Sequence, residues 1–255
     1  MQLYVEPHEI VPSSYCAAAY LQSIDFNSTV LLVGGEGVAA ELEDAGIAYK
    51  YCPTSSDPGQ WDVASGFKSM EIDHDIGAVV VGFDEQFSYE KICRASAHLR
   101  EGGGGGGGRR RRRRASQDDD VHTNNSTKET TSGCLFVATN MDNYDNMGNG
   151  RMMPGTGCLV AAIERVADRQ AVNVGKGGDW LLPFLLHQYG LKPEETCIVG
   201  DRLDTDIALG KVGGLRSVLT LTGVTTEEDL RVAGDDEVPD YVVPHLALLA
   251  GLEWE

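Results

Sequence analysis

The chain has 255 residues, 42% hydrophobic and 24% charged, and its 21 basic and 39 acidic side chains leave a net charge of −18. Six of the basic residues form one run, Arg109 to Arg114; without it 15 basic residues face 39 acidic ones, a balance of −24 that excludes a nucleic-acid or anionic-membrane surface as the main role. Six scattered cysteines with no CxxC pair, no apolar run of membrane-spanning length, and an amino terminus (MQLYVEPHEI) without signal character point to reduced thiols in an intracellular protein that is not secreted.

Residues 7 to 22 (PHEIVPSSYCAAAYLQ) predict a linker helix capped by Ser13 or Ser14. TVLLVGG (29 to 35) predicts a buried strand, EGVAAELEDAG (36 to 46) an amphipathic helix, and IAYKYC a second strand. The unit repeats in IGAVVVGFD (76 to 84) and SYEKICRASAHL (88 to 99). Residues 101 to 133, with seven glycines, six arginines, DDD and a Ser/Thr/Asn-rich stretch, interrupt it and predict a disordered insertion. Order resumes with strand CLFVATN (134 to 140), a polar loop MDNYDNMGNGRMMPGTG, and helix CLVAAIERVADR (158 to 169). AVNVGK, helix DWLLPFLLHQYG, strand TCIVGD, helix TDIALGKVGG, strand RSVLTLTG and a closing YVVPHLALLAGL complete an α/β alternation of the kind that builds parallel sheets.

Chemistry concentrates in TCIVGDRLDTDI (196 to 207), where an apolar run delivers Asp201 to a strand end and Asp206 follows at the opening of the next helix. Oxygen ligands suit Mg²⁺, which keeps several waters and leans on a few carboxylates and a substrate phosphate. Capping of the helix is the competing role for Asp206. Lys176, between glycines in NVGKGGDW, can approach a phosphate as a compact point charge, or stand as an ordinary solvated lysine.

GDRLDTDI, VGK before a helix, VVVGFDEQFSYEKI, LFVATN and PGTGCLVAAIE together resemble the haloacid dehalogenase superfamily, in its phosphoglycolate phosphatase and 4-nitrophenylphosphatase branch. The resemblance implies a Rossmann-like parallel-sheet hydrolase core with an inserted α/β cap: a linker over 1 to 24, the cap over 25 to 170, and the carboxy-terminal part of the core over 171 to 255. It implies that Asp201 binds Mg²⁺, that Asp206 supports the metal site, and that Lys176 holds the nucleophile and the phosphoryl group. Asn140 and Asp142 match the substrate-facing loop. The implied reaction is hydrolysis of a small phosphate monoester, 2-phosphoglycolate first and an aryl phosphate or pyridoxal phosphate next, through an aspartyl-phosphate. The partner is that phosphorylated substrate, with a homo-oligomer open.

Two departures stand out. Such phosphatases begin with a strand ending in DxDG, followed by a Ser/Thr motif, and this sequence opens after both, so the expectation is a chain without its nucleophile; a catalytically inactive phosphate-binding homologue is the alternative. Gly177 replaces the usual proline after the lysine. Thr123 to Lys128 (TNNSTK) and the pair Asp118 and Asp120 resemble the missing motifs but lie in low-complexity sequence with no apolar strand before them, so they are read as solvated insertion. GEGVAA (35 to 40) fits GxGxxA, yet no acidic residue stands near the end of the second strand, which favours a tight turn over a dinucleotide site. The arginine run reads as an expansion in a tolerant loop.

Overall fold

The computed structural model describes residues 4–55, 61–101, 133–147 and 149–251. In chain order the strands are β1 (Thr29–Val33), β2 (Tyr49–Tyr51), β3 (Ile76–Val81), β4 (Leu135–Ala138), β5 (Tyr144–Asn146), β6 (Met152–Pro154), β7 (Val172–Asn173), β8 (Cys197–Gly200), β9 (Arg216–Thr220) and β10 (Tyr241–Val243). The helices are α1 (Ser13–Ser23), α2 (Glu36–Asp44), α3 (Val63–Lys68), α4 (Tyr89–Glu101), α5 (Thr156–Ala167), α6 (Leu181–Tyr189), α7 (Ala208–Gly213) and α8 (Glu227–Val232). The parallel α/β class expected from the sequence is what the chain adopts, in two parallel sheets of order β2-β1-β3-β4-β7 and β10-β9-β8, with β5 and β6 as a separate antiparallel pair.

The apolar runs are continuous because both faces of the first sheet are covered. Successive side chains point to opposite faces, so Val30, Leu32, Ala78, Val80 and Val137 meet α1 and α2 through Ala17, Leu21, Val38 and Leu42. Leu31, Val33, Val79, Val81, Phe136 and Ala138 meet α4 and α5 on the other face, through Ala95, Leu99, Val160 and Ile163. Each fully buried Val or Leu contributes about 1.5–3 kcal/mol. The α1 side of this core also takes in Leu181 and Leu182 of α6, Leu209 of α7 and Leu215, which packs the second sheet's helices against the first sheet.

Several local expectations are corrected. The helix expected from Pro7 is split: Pro7–Glu9 form a short 3-10 turn, and α1 starts at Ser13, with an extended Pro12 (φ −72°, ψ 158°) at its N-cap and no side-chain cap from Ser13 or Ser14. The helix expected over 158 to 169 runs from Thr156 to Ala167, and Asp168 at φ 54° stops it. The segment expected to be a loop, 141 to 157, contains the β5–β6 hairpin. Helix α3 was not expected; Asp62 caps it by accepting from the Ser65 amide at 2.7 Å. The Gly34-Gly35 turn after β1 is tight, as expected: the Gly35 amide donates to the Phe83 carbonyl at 3.1 Å, and a side chain on Gly34 would meet Leu32 at 3.2 Å. Residues 102–132, with the arginine run, Asp118, Asp120 and most of the predicted insertion, lie outside the described residues.

Three features position chemistry at one place. Asn140 and Asp142 follow β4, Lys176 follows β7, and Asp201 follows β8, all at carboxyl ends of parallel strands. The connection from α4 to β4, by contrast, enters at the amino end of the sheet.

Candidate active site

The loop carrying Lys176 is built by Asn173. Its Oδ1 accepts the Gly175 amide at 3.0 Å and its Nδ2 donates to the Lys176 carbonyl at 3.0 Å, so the last residue of β7 folds the chain over on itself. Gly175 lies so close to β4 that a Cβ there would stand 2.4 Å from the Thr139 carbonyl, and one on Gly178 would stand 2.0 Å from the Asn173 carbonyl. Gly177 has φ +80°, a conformation proline cannot take, so the departure from proline at this position is matched by a different turn. Helix α6 consequently begins at Leu181, later than the Gly178 or Asp179 start expected from the sequence.

The second half of the site follows β8. Residues Leu203–Ile207 form a single π-type turn in which the Asp206 and Ile207 amides both donate to the Arg202 carbonyl at 3.1 Å. That wide turn swings the buried Asp206 side chain back over its own loop, where Oδ2 accepts the amides of Asp201 and Arg202 at 3.2 Å each. Asp206 is therefore not a cap of the following helix. Its Oδ1 accepts the Lys176 ammonium at 2.8 Å. Asp201 Oδ2 accepts the Val224 amide at 2.8 Å, and among the described residues no donor reaches Oδ1. Two glycines make room for these carboxylates: a Cβ on Gly200 would fall 2.2 Å from Asp206 Cγ, and one on Gly223 would fall 1.9 Å from Asp201 Oδ2.

The loop after β4 closes the site. Asn140 Oδ1 accepts the Asp142 amide at 3.2 Å, and a Cβ on Gly175 would lie 3.1 Å from Asn140, which places this loop directly against the lysine loop. Gly155 and Gly157 grip it from the start of α5: their amides donate to the Asn143 and Asp142 carbonyls at 3.0 and 2.9 Å, and neither position has space for a Cβ. Burial raises the pKa of Asp142, partly offset by the nearby cations Arg202 and Lys176. Thus Lys176, Asp206, Asp201 and Asp142 are all brought together, with Asn140 bracing the loop rather than exposed on its own.

Two residues that sequence reasoning did not single out join them. Arg202 is 7% exposed; its Nε and Nη2 hold Asp204 at 3.0 and 2.8 Å, and its Nη1 donates to the Tyr144 carbonyl at 3.1 Å. Asn173 is the other. Its only local signal is an amide side chain three residues ahead of the lysine.

Two family models match the chain, one described as haloacid dehalogenase-like hydrolase over residues 1–48 and one as HAD-hydrolase-like over residues 173–249. A glycerol-3-phosphate phosphatase of Gallus gallus is 35% identical over 257 residues, covering 97% of this chain and 72% of the relative. The chain belongs to the haloacid dehalogenase-like hydrolases. Chloroplastic phosphoglycolate phosphatase 1A of Arabidopsis thaliana is another relative of this hydrolase, 36% identical over 94% of the chain and 58% of its own length. Among solved structures, a p-nitrophenyl phosphatase from Archaeoglobus fulgidus superposes with a TM-score of 0.68 at 26% identity, over 98% of this chain and 77% of that one. As an enzyme of this family the chain is a phosphoric monoester hydrolase. No helix among its described residues is long and apolar enough to cross a membrane.

Proposed function

We propose that this hydrolase acts on a small phosphate monoester with Mg²⁺, 2-phosphoglycolate first and an aryl phosphate or pyridoxal phosphate next, by the route that passes through an aspartyl-phosphate in the intact family; none of the site residues described above supplies the attacking aspartate. The observation that carries the reading is the Lys176–Asp206 contact laid beside Asp201 inside the Gly200 and Gly223 cradle. The donor set suits Mg²⁺: Asp201 Oδ1 takes no hydrogen bond among the described residues, and Mg²⁺ typically takes one or two carboxylates plus substrate phosphate and water. Asp201 would hold the ion through Oδ1, and Asp206, fixed by two amides and the lysine, would steady the loop that presents it. Bound there, the ion supplies electrostatic stabilisation of charge on a transferring phosphoryl group.

The residues of this chain do the rest of the positioning. The Lys176 side chain is 46% exposed while that of Asp206 beneath it is 5% exposed, so the ammonium can face a phosphate without leaving its buried partner. Asp142 borders the same space and would meet the leaving group. The domain division proposed is a cap over about 25 to 170 and a core portion beyond it, with 1 to 24 as the linker. Among the described residues β8 has no partner on its outer side, and a strand bearing the attacking aspartate would pair along that edge. The alternative reading is a phosphate-binding homologue without turnover. Chloroplastic and non-plastid relatives alike make cytosol or plastid the proposed compartment.

The deciding experiment incubates the purified protein with 2-phosphoglycolate, sn-glycerol 3-phosphate, pyridoxal phosphate and 4-nitrophenyl phosphate, with and without Mg²⁺. Mg²⁺-dependent phosphate release, fastest from 2-phosphoglycolate, is expected. Mg²⁺-dependent binding of inorganic phosphate without release from any ester would establish the second reading; neither binding nor release would remove both.

A further inference from the structure

Arg202 lies between two parts of the site that are far apart in sequence. Its backbone amide serves Asp206, and that contact is independent of its side chain. The side chain spans outward instead: a bidentate grip on Asp204 fixes the plane of the guanidinium, and Nη1 then reaches the Tyr144 carbonyl, 58 residues away, at the start of β5. The guanidinium carbon also stands 5.6 Å from the centroid of the Tyr144 ring, within cation–π range. The same open end of the hairpin is tied to the head of α5, where the Gly155 and Gly157 amides donate to the Asn143 and Asp142 carbonyls just ahead of Tyr144. The β5–β6 pair itself has three registered residue pairs, too few to hold an isolated hairpin in water.

We propose that Arg202 is a positioning residue: its guanidinium clamps the β5–β6 hairpin to the Asp201–Asp206 loop and so sets the distance between the substrate-facing loop at Asp142 and the phosphate corner at Lys176. This rests on the phosphatase reading above and adds a specificity determinant to it. A lysine at this position keeps the charge but not the planar fork that holds Asp204 and Tyr144 together. The clamp therefore governs how the leaving group is seated, while the phosphoryl group remains with Lys176 and Asp201.

The test compares Arg202→Lys and Tyr144→Leu with the unmodified protein by two measurements. Amide hydrogen exchange in residues 144–154 reads the clamp directly and needs no catalysis; a rise of about tenfold is expected in Arg202→Lys, the scale of one charge-assisted hydrogen bond, with a smaller rise in Tyr144→Leu, and no change in β9. Steady-state kinetics should show KM for the preferred ester rising about tenfold in Arg202→Lys with kcat nearly kept, the signature of lost seating rather than lost chemistry. Unchanged exchange in the hairpin overturns the clamp, as does a collapse of kcat with KM preserved. If every form is silent as a phosphatase while the hairpin exchange still rises, the clamp stands and the phosphatase reading falls. Tyr144→Leu leaves Arg202 and its Asp204 pair in place, so it reports on the clamp even if Arg202→Lys does not fold.

Discussion

Lys176 and Asp206, 30 residues apart in the chain, meet at 2.8 Å with the ammonium half open to solvent and the carboxylate almost fully covered. The exposed partner is thus the one available to a ligand. Lys176→Met should lower kcat/KM for 4-nitrophenyl phosphate in Mg²⁺ by at least about 10²-fold, the scale of removing one preorganised charge donor. Asp206→Asn should lower it similarly by releasing the lysine, with phosphate release as the assay.

The glycine cradle gives a sharper test because it alters no charged group. Gly223→Ala places a methyl where Asp201 Oδ2 now lies, and Gly200→Ala does the same to Asp206. Each should weaken Mg²⁺ binding by about 10–100-fold, as loss of groups supporting a metal ligand does. Calorimetric titration with Mg²⁺ is the measurement, and unchanged affinity in both would separate these carboxylates from the metal.

How much of this was legible follows from where the contacts come from. Asp201 and Asp206 announce themselves because their motif is local, with glycine, charge and strand end within a few residues of one another; Lys176, a plain solvated lysine by its own neighbours, becomes legible only with that motif downstream of it. The β5–β6 hairpin does not. YDN and MMP are three-residue strands with too few positions to show a period of two, and they are held by Arg202 and the PGTG turn rather than by propensity. Arg202 itself looks like any surface arginine until Tyr144 is placed against it. The wide turn at Leu203–Ile207 was equally hidden, since the sequence TDIALGKVGG reads as plain helix, and it is this turn that makes Asp206 face backward.

Just beyond the carboxyl end of β3, Lys91 and Asp84 form an ion pair at 2.6 Å with side chains 9% and 5% exposed. Lys91→Met leaves Asp84 buried without its countercharge and should destabilise the fold by about 3–5 kcal/mol in urea titration. Replacing both, Lys91→Met with Asp84→Leu, should recover most of that loss.

Acid should act through Asp240. Its Oδ2 accepts both the amide and the hydroxyl of Ser217, contacts that hold its pKa below the ordinary 3.8. A depressed carboxylate stabilises the fold above its unfolded pKa, and that contribution disappears as pH falls through the lower folded value. Melting temperatures followed from pH 6 downward should therefore drop below about pH 4, and Asp240→Asn should flatten that limb.

Cysteine alkylation should divide the six thiols. Cys16 and Cys134, pushed up to about 11 by burial, and Cys52, pushed up to about 12, should resist iodoacetamide at neutral pH until the protein unfolds. Cys197 on the open edge of β8 and Cys158 are exposed and should be modified first, as mass spectrometry of a time course would show.

The α4–β4 connection enters the first sheet at the end opposite the chemistry. Every candidate site residue follows the carboxyl end of a strand, whereas Glu101 closes α4 and Leu135 opens β4 at the amino end of the same sheet, the length of a strand away. A fluorophore attached at the exposed Glu101 would therefore stand at the end of the sheet opposite the phosphate, with the length of the strands between the two.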